Sequence, residues 1–128
     1  MQNMIKEQEF SDLYDKLTQE LRRGILVLAV LSRLEDERYG YDLISRLSEK
    51  GLEIEQGTLY PLLRRLESQG LLASEWNVEG SRPRRYYHLS QDGKEMLEAL
   101  TGEWRSLAAI MEGLLEDVPP GGVNHGID

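Results

Sequence analysis

"GTLYPLLRRLESQGLL", residues 57–72, carries two surfaces on one helical period. Leu59, Leu62, Leu63 and Leu66 fall at i, i+3, i+4 and i+7, so a helix through them buries a single leucine stripe. Thr58, Tyr60, Arg64, Arg65 and Ser68 are left for the opposite side. Pro61 has no N–H to donate. A start at Thr58, with its hydroxyl as the cap, sets Pro61 in the first turn, where no donor is needed. An earlier start costs one hydrogen bond. Gly70, able to take a left-handed conformation, closes the helix.

Upstream, "YGYDLISRLSEKG" (39–51) predicts a short helix with Leu43, Ile44 and Leu47 inward and Gly51 as its stop. Before it, "FSDLYDKLTQ" (10–19) predicts an amphipathic helix with Phe10, Leu13, Tyr14 and Leu17 along one side. A second helix is expected in "ELRRGILVLAVLSRL" (20–34). That segment is apolar almost all round, so it reads as the central buried helix, with Gly24 leaving room for close packing. The charged "EDER" (35–38) separates it from the next element.

Downstream, "LLASEWN" (71–77) and "RRYYHLS" (84–90) predict two strands of a hairpin whose tip is "VEGSRP" (78–83). Ser90 then caps a long helix over 91–118, stopped by Pro119 and Pro120, and residues 119–128 are expected to be a disordered tail. On the long helix, Leu97, Leu100, Trp104, Leu107, Met111 and Leu114 recur at spacings of three or four, the pattern of a helix packed in a bundle or against another chain. Gly102 and Gly113 interrupt it, favouring local contact regions over an ideal coiled coil.

Charge is distributed unevenly along the chain. The net charge is −8, but residues 38–94 hold nine basic and eight acidic side chains, while residues 95–128 hold one and seven. That balance argues against a general polyanion binder but not against a local basic face. Arg82, Arg84 and Arg85 surround Pro83, which keeps the segment extended and projects guanidinium groups suited to phosphate oxygens or a narrow minor groove. The acidic flanks repel non-specific nucleic acid.

Several functional classes are excluded. Cysteine is absent, so disulfides, thiolate metal sites and cysteine nucleophiles are unavailable. His88 and His125, far apart in sequence, do not constitute a metal site by themselves, and with no recognisable acid-base pair, nucleophile elbow or phosphate-binding glycine pattern, neither catalysis nor a cofactor is expected. "GILVLAVL" (24–31) falls far short of the roughly 20 residues that cross a bilayer, and "MQNMIKEQEF" (1–10), with no basic segment followed directly by an apolar one, does not read as a signal peptide, so a cytoplasmic location is expected.

The order helix, helix, helix, hairpin, long helix is that of a mainly α fold with a small β-hairpin. It describes a winged helix-turn-helix over 10–89 with an N-terminal helix and a C-terminal dimerisation helix over 90–118. In such modules one helix enters the major groove while the hairpin lies alongside the duplex. Thr58, Tyr60, Arg64, Arg65, Arg82, Arg84 and Arg85 are therefore the expected contacts to double-stranded DNA. Arg82 and Arg84 come first among the wing residues. Arg64 is suited to a guanine edge, and Tyr60 to a phosphate.

"LRRGILVLAVLSRL", "YGYDL", "GTLYPLLRRLESQGLL" and "RPRRYYHLSQDGKEML", in this order across residues 21–97, resemble the PadR family of bacterial transcriptional regulators. The resemblance implies a homodimeric repressor of detoxification, efflux or stress genes, released from DNA by a small molecule. It implies a single C-terminal dimerisation helix, with Leu97, Leu100, Trp104, Leu107, Met111 and Leu114 at the interface. A planar hydrophobic effector is expected near Trp104, with Leu100, Leu107 and Ala108 around it; Trp104 as plain interface filler is the competing reading. His88 stands where the family often has arginine or lysine. Two other functions compete: a winged-helix adaptor that binds protein, and a regulator that acts without a ligand.

Overall fold

Two left-handed glycines set the punctuation of the fold. The computed structural model describes residues 2–118. After α1 (Gln2–Ser32) and β1 (Arg38–Tyr39) comes α2 (Gly40–Glu49), then α3 (Gln56–Ser68), β2 (Leu72–Asn77), β3 (Arg84–Leu89) and α4 (Gln91–Leu115). Gly51 (φ 95°) and Gly70 (φ 85°) follow α2 and α3. At each, a paired closure forms: Gly51 N–H donates to Ser48 O and Leu52 N–H to Leu47 O, as Gly70 N–H donates to Glu67 O and Leu71 N–H to Leu66 O. Both stops stand where the glycines predicted them, because only a residue without Cβ takes that conformation cheaply.

The first of two compact units ends at Leu97. Its core joins Val30, Leu31 and Leu34 at the end of α1 to Leu43 and Leu47 of α2, Ile54, the α3 stripe Leu59, Leu62, Leu63 and Leu66, and Leu72, Tyr87 and Leu89 of the sheet. The α3 leucines are buried as their spacing predicts. Ile44 is only half-buried, at the margin of the α2 face. β3 is the central strand, antiparallel to both neighbours, in the order β1-β3-β2.

Three expectations change. Residues 10–19 and 20–32 belong to one continuous helix instead of two, and Arg33 and Leu34 lie beyond its end. No breaker stands at the junction of Gln19 and Glu20, and the one glycine nearby, Gly24, costs only about 1 kcal/mol, which a helix this long absorbs. Phe10, Leu13, Tyr14 and Leu17 are exposed, and the segment expected to be the central buried helix is half-buried from Ile25 to Ala29, reaching full burial only at Val30, Leu31 and Leu34. A side chain at Gly24 would meet nothing among the described residues, so no close packing explains that glycine.

The second change concerns the start of α3. The helix begins at Gln56 with Glu55 as its N-cap residue, so Thr58 lies inside the first turn and is not the cap. Thr58 and Leu59 both donate their N–H groups to Glu55 O. Pro61 thus falls in the second turn and leaves one carbonyl without its helical donor, the cost attached to an earlier start. Third, the hairpin acquires a partner strand, β1, in a segment read from sequence only as a charged break. Two residues suffice because Leu89 N–H also donates to Leu34 O.

Ser90 caps α4 as expected. Its Oγ accepts from Gly93 N–H (3.0 Å) and its hydroxyl donates to Gly70 O (2.6 Å), coupling the end of α3 to the start of α4. A Cβ at buried Gly93 would strike the Leu71 carbonyl, which accounts for glycine there. The second unit begins at Glu98, within α4. α4 ends at Leu115, three residues short of the expected stop, and Pro119, Pro120 and the expected disordered tail lie outside the described residues.

Candidate nucleic-acid interface

α3 turns its leucines inward and therefore displays the remaining residues of each turn. Thr58, Arg64 and Arg65 are exposed, and neither arginine takes part in an ion pair among the described residues. Ser68, also exposed, spends its hydroxyl on the Arg65 carbonyl at 2.8 Å. Tyr60 behaves differently. Its ring is half-buried and lies so close to Gly40, the first residue of α2, that a Cβ at that position would overlap it. The two helices approach through this glycine, and Tyr60 is held by α2 while it stands on the outward side of α3.

The hairpin is fastened to α3 by a small polar lattice. Arg85 Nη2 donates to Glu67 Oε1 at 3.0 Å, Arg85 Nε donates to Ser74 Oγ at 3.0 Å, and Ser74 Oγ donates to Glu67 Oε2 at 2.6 Å. Three groups on α3, β2 and β3 thus close a ring of charge-assisted bonds, the strong class of hydrogen bond. The guanidinium also lies over Trp76 (5.7 Å) and Tyr87 (5.6 Å). Trp76 remains exposed. Burial pushes the Tyr87 phenol above its ordinary pKa, and the Arg85 charge opposes that rise.

Beyond this anchor the wing carries free charge. Asn77 Oδ1 accepts from Glu79 N–H, starting a turn that Gly80 completes at φ 87°. Arg82 is exposed and has no ion pair or hydrogen bond among the described residues. Arg84 is exposed as well, its guanidinium 4.8 Å from the centre of the Tyr39 ring, which itself meets Tyr86 edge to face at 5.5 Å. Of the seven residues read from sequence as DNA contacts, Thr58, Arg64, Arg65, Arg82 and Arg84 are exposed; Tyr60 and Arg85 are engaged within the unit. Glu67, the partner that engages Arg85, was missed: a glutamate on an exposed helix face carries no sign that a strand arginine will reach it.

In the second unit, Trp104, Leu107, Met111 and Leu114 are exposed along one helix, with Ile110 and Leu115 beside them. Ala108 is half-buried, as are Leu97 and Leu100. A cavity of about 570 Å³ in the first unit is lined by Arg22, Leu26, Ile54 and Thr58 among others, and by none of the residues expected around an effector. No described helix is long and apolar enough to cross a membrane.

Comparison with known proteins agrees with this architecture. Residues 27–99 match the model of the transcriptional regulator PadR-like family. The chain is 37% identical over 107 residues to the transcriptional regulator Rv3488 of Mycobacterium tuberculosis, covering 83% of this chain and 92% of that protein. Among solved structures, a PadR family transcriptional regulator from Eggerthella lenta superposes with a TM-score of 0.79 at 46% identity, over 86% of this chain and 98% of that one. A PadR family regulator from Clostridium difficile superposes at 0.64 with 34% identity, over 70% and 96%.

Proposed function

The chain belongs to the PadR-like family of DNA-binding transcriptional regulators, and from that premise we propose that it acts as a homodimeric repressor. Each monomer lays α3 in a major groove, with Thr58, Arg64 and Arg65 toward the bases and backbone. Arg82 and Arg84 take the adjacent phosphates or minor groove. The observation that carries this reading is the Glu67–Arg85–Ser74 lattice. It holds the hairpin to α3, so that the free arginines of both elements are presented by one preorganised body.

The exposed apolar residues of α4 support dimerisation. Trp104, Leu107, Met111 and Leu114 leave a stripe in water that a second copy of the helix would cover. Dimerisation through it sets half-sites about 34–36 Å apart on the operator. A flat hydrophobic effector that stacks on Trp104, bordered by Leu100, Leu107 and Ala108, changes the spacing and releases DNA, provided it binds the two geometries unequally. The targets are detoxification, efflux or stress genes, and the protein works in the cytoplasm.

The test is fluorescence-anisotropy titration of duplex taken from upstream of the protein's own gene against scrambled duplex, at about 50 to 200 mM salt. Selective binding that weakens with salt, and is lost in a still-dimeric Arg82→Ala, Arg84→Ala variant, is expected. Binding unchanged in that variant would overturn the wing assignment. A monomeric wild-type chain by sedimentation would overturn the dimer, and equal operator affinity with and without a ligand bound at Trp104 would overturn effector release.

A further inference from the structure

Sheet register brings together three side chains that are far apart in sequence. Arg38 pairs with Tyr87 and Tyr39 with Tyr86, so Glu37, one step earlier, comes opposite His88. On the other side Ala73 pairs with His88 and Glu75 with Tyr86, which sets Glu75 diagonally from the imidazole on the same sheet face. A carboxylate therefore stands on each flank of the central-strand histidine. One ligand atom from each of Glu37, Glu75 and His88 lies within 4.8 Å of the others.

The surrounding chemistry suits a cation. Neither carboxylate is in an ion pair with lysine or arginine among the described residues. Arg38, next to Glu37 in sequence, is turned to Asp36 and Asp42 instead. His88 Nδ1 lies 3.2 Å from the Leu89 carbonyl, which can only accept, so the contact is a hydrogen bond when Nδ1 carries the proton. In that tautomer Nε2 carries the lone pair, the tautomer found in metal-bound histidines whose other nitrogen donates to a backbone carbonyl. A cleft of about 310 Å³, lined by Glu37, Glu75, Glu79 and Tyr86 among others, opens beside the two carboxylates, which are themselves exposed.

We propose that Glu37, Glu75 and His88 form a binding site for a borderline first-row divalent cation of the Zn²⁺ type. One imidazole nitrogen and two carboxylates balance a charge of two and fill three positions of a tetrahedron, leaving the fourth to water. The imidazole selects against Mg²⁺ and Ca²⁺, which take oxygen ligands. Because the three residues come from the segment ahead of β1, from β2 and from β3, an ion there clamps the wing to the strand that leads into α2. This site is independent of the DNA reading and of Trp104.

The experiment is calorimetric titration of the full chain with ZnCl₂, repeated with CoCl₂ to read d–d absorption, alongside Glu75→Gln, Glu37→Gln, His88→Gln and His125→Gln. One saturable ion per chain is expected. Each of the first three substitutions should weaken it at least about tenfold, the loss that even outer-shell substitutions produce. His125→Gln should leave it unchanged, and added Zn²⁺ should raise the Tm of the wild type but not of Glu75→Gln. Glu75 is at an exposed strand position, so Glu75→Gln should keep the wild-type circular dichroism spectrum, which is recorded as the folding control. Absence of saturable binding, or binding lost in His125→Gln and kept in Glu75→Gln and His88→Gln, would overturn the site.

Discussion

Replacing Arg85 with alanine should damage the fold while leaving the electrostatic part of DNA binding intact. Arg85 donates to Glu67 and Ser74, and the two charged side chains are 37% and 27% exposed. Fully exposed ion pairs are worth about 0–1 kcal/mol, whereas hydrogen bonds to charged groups reach about 1.5–3 kcal/mol. A half-screened pair with a second bond from the same guanidinium falls between them, near 1.5 kcal/mol. In a unit of this size each kcal/mol shifts Tm by about 4–8 °C, so Arg85→Ala should melt about 6–12 °C lower. Thermal unfolding of Arg85→Ala, Glu67→Gln and the double variant gives the coupling directly, expected at about 1 kcal/mol.

Salt dependence supplies the second arm. Each phosphate that a variant no longer neutralises lowers the slope of log K against log salt by about 0.9. Arg85→Ala should weaken operator binding through a loosened wing yet keep the slope. Arg82→Ala should lower the slope and keep the Tm, since its side chain has no partner among the described residues. A slope reduced by about 0.9 per chain in Arg85→Ala with an unchanged Tm would refute the strut and return Arg85 to the residues that meet phosphate.

Two further outcomes follow from the geometry. Gly40→Ala puts a methyl group into the Tyr60 ring, which is the mobile end of its side chain. The ring should swing away at a cost near the low end of the about 1–3 kcal/mol range for overpacking, with weaker operator affinity. Unchanged Tyr60 ring shifts by NMR would refute the contact. Tyr87 has a folded-state pKa raised above 10.0 by burial, so its contribution to stability is complete below pH 10 and is lost as pH rises through the folded value. Tyr87→Phe should flatten the alkaline decline in denaturant midpoint, and an equally steep decline would refute the assignment.

Local patterning made most of the fold legible. The α3 leucines, the glycine stops at 51 and 70, the hairpin strands and the Ser90 cap each depend on residues within a few positions, and each formed as read. The misjudged features were non-local or lacked a breaker. Nothing in "EDERYG" (35–40) announces a strand, because β1 exists only through pairing with residues almost fifty positions away. The α1 boundary expected near residue 20 had no proline, and its single glycine did not interrupt the helix. At the candidate interface, residue types indicated which groups could meet DNA, but Glu67's claim on Arg85 and Gly40's fit to Tyr60 needed three dimensions.

β3 shows how one short strand serves several tasks. Its odd residues Arg85, Tyr87 and Leu89 run from the Glu67 anchor into the core; its even residues Arg84, Tyr86 and His88 run along the other face, from the wing arginine to the Glu37–Glu75 cluster. Since strand side chains alternate, a slip of one residue would exchange these sets and put Arg84 toward Glu67 and His88 into the core. The end of the strand prevents that slip. From the five-residue stretch 89–93, Leu89 N–H is fixed to Leu34 O, Ser90 N–H to Leu71 O, and Gly93 N–H to Ser90 Oγ. The cap of α4 is thus also the register pin of the wing. Ser90→Ala removes only the side-chain bonds to Gly70 O and Gly93 N–H and keeps the backbone pair, so it should lower the Tm while leaving the strand register, read from cross-strand NOEs, unchanged.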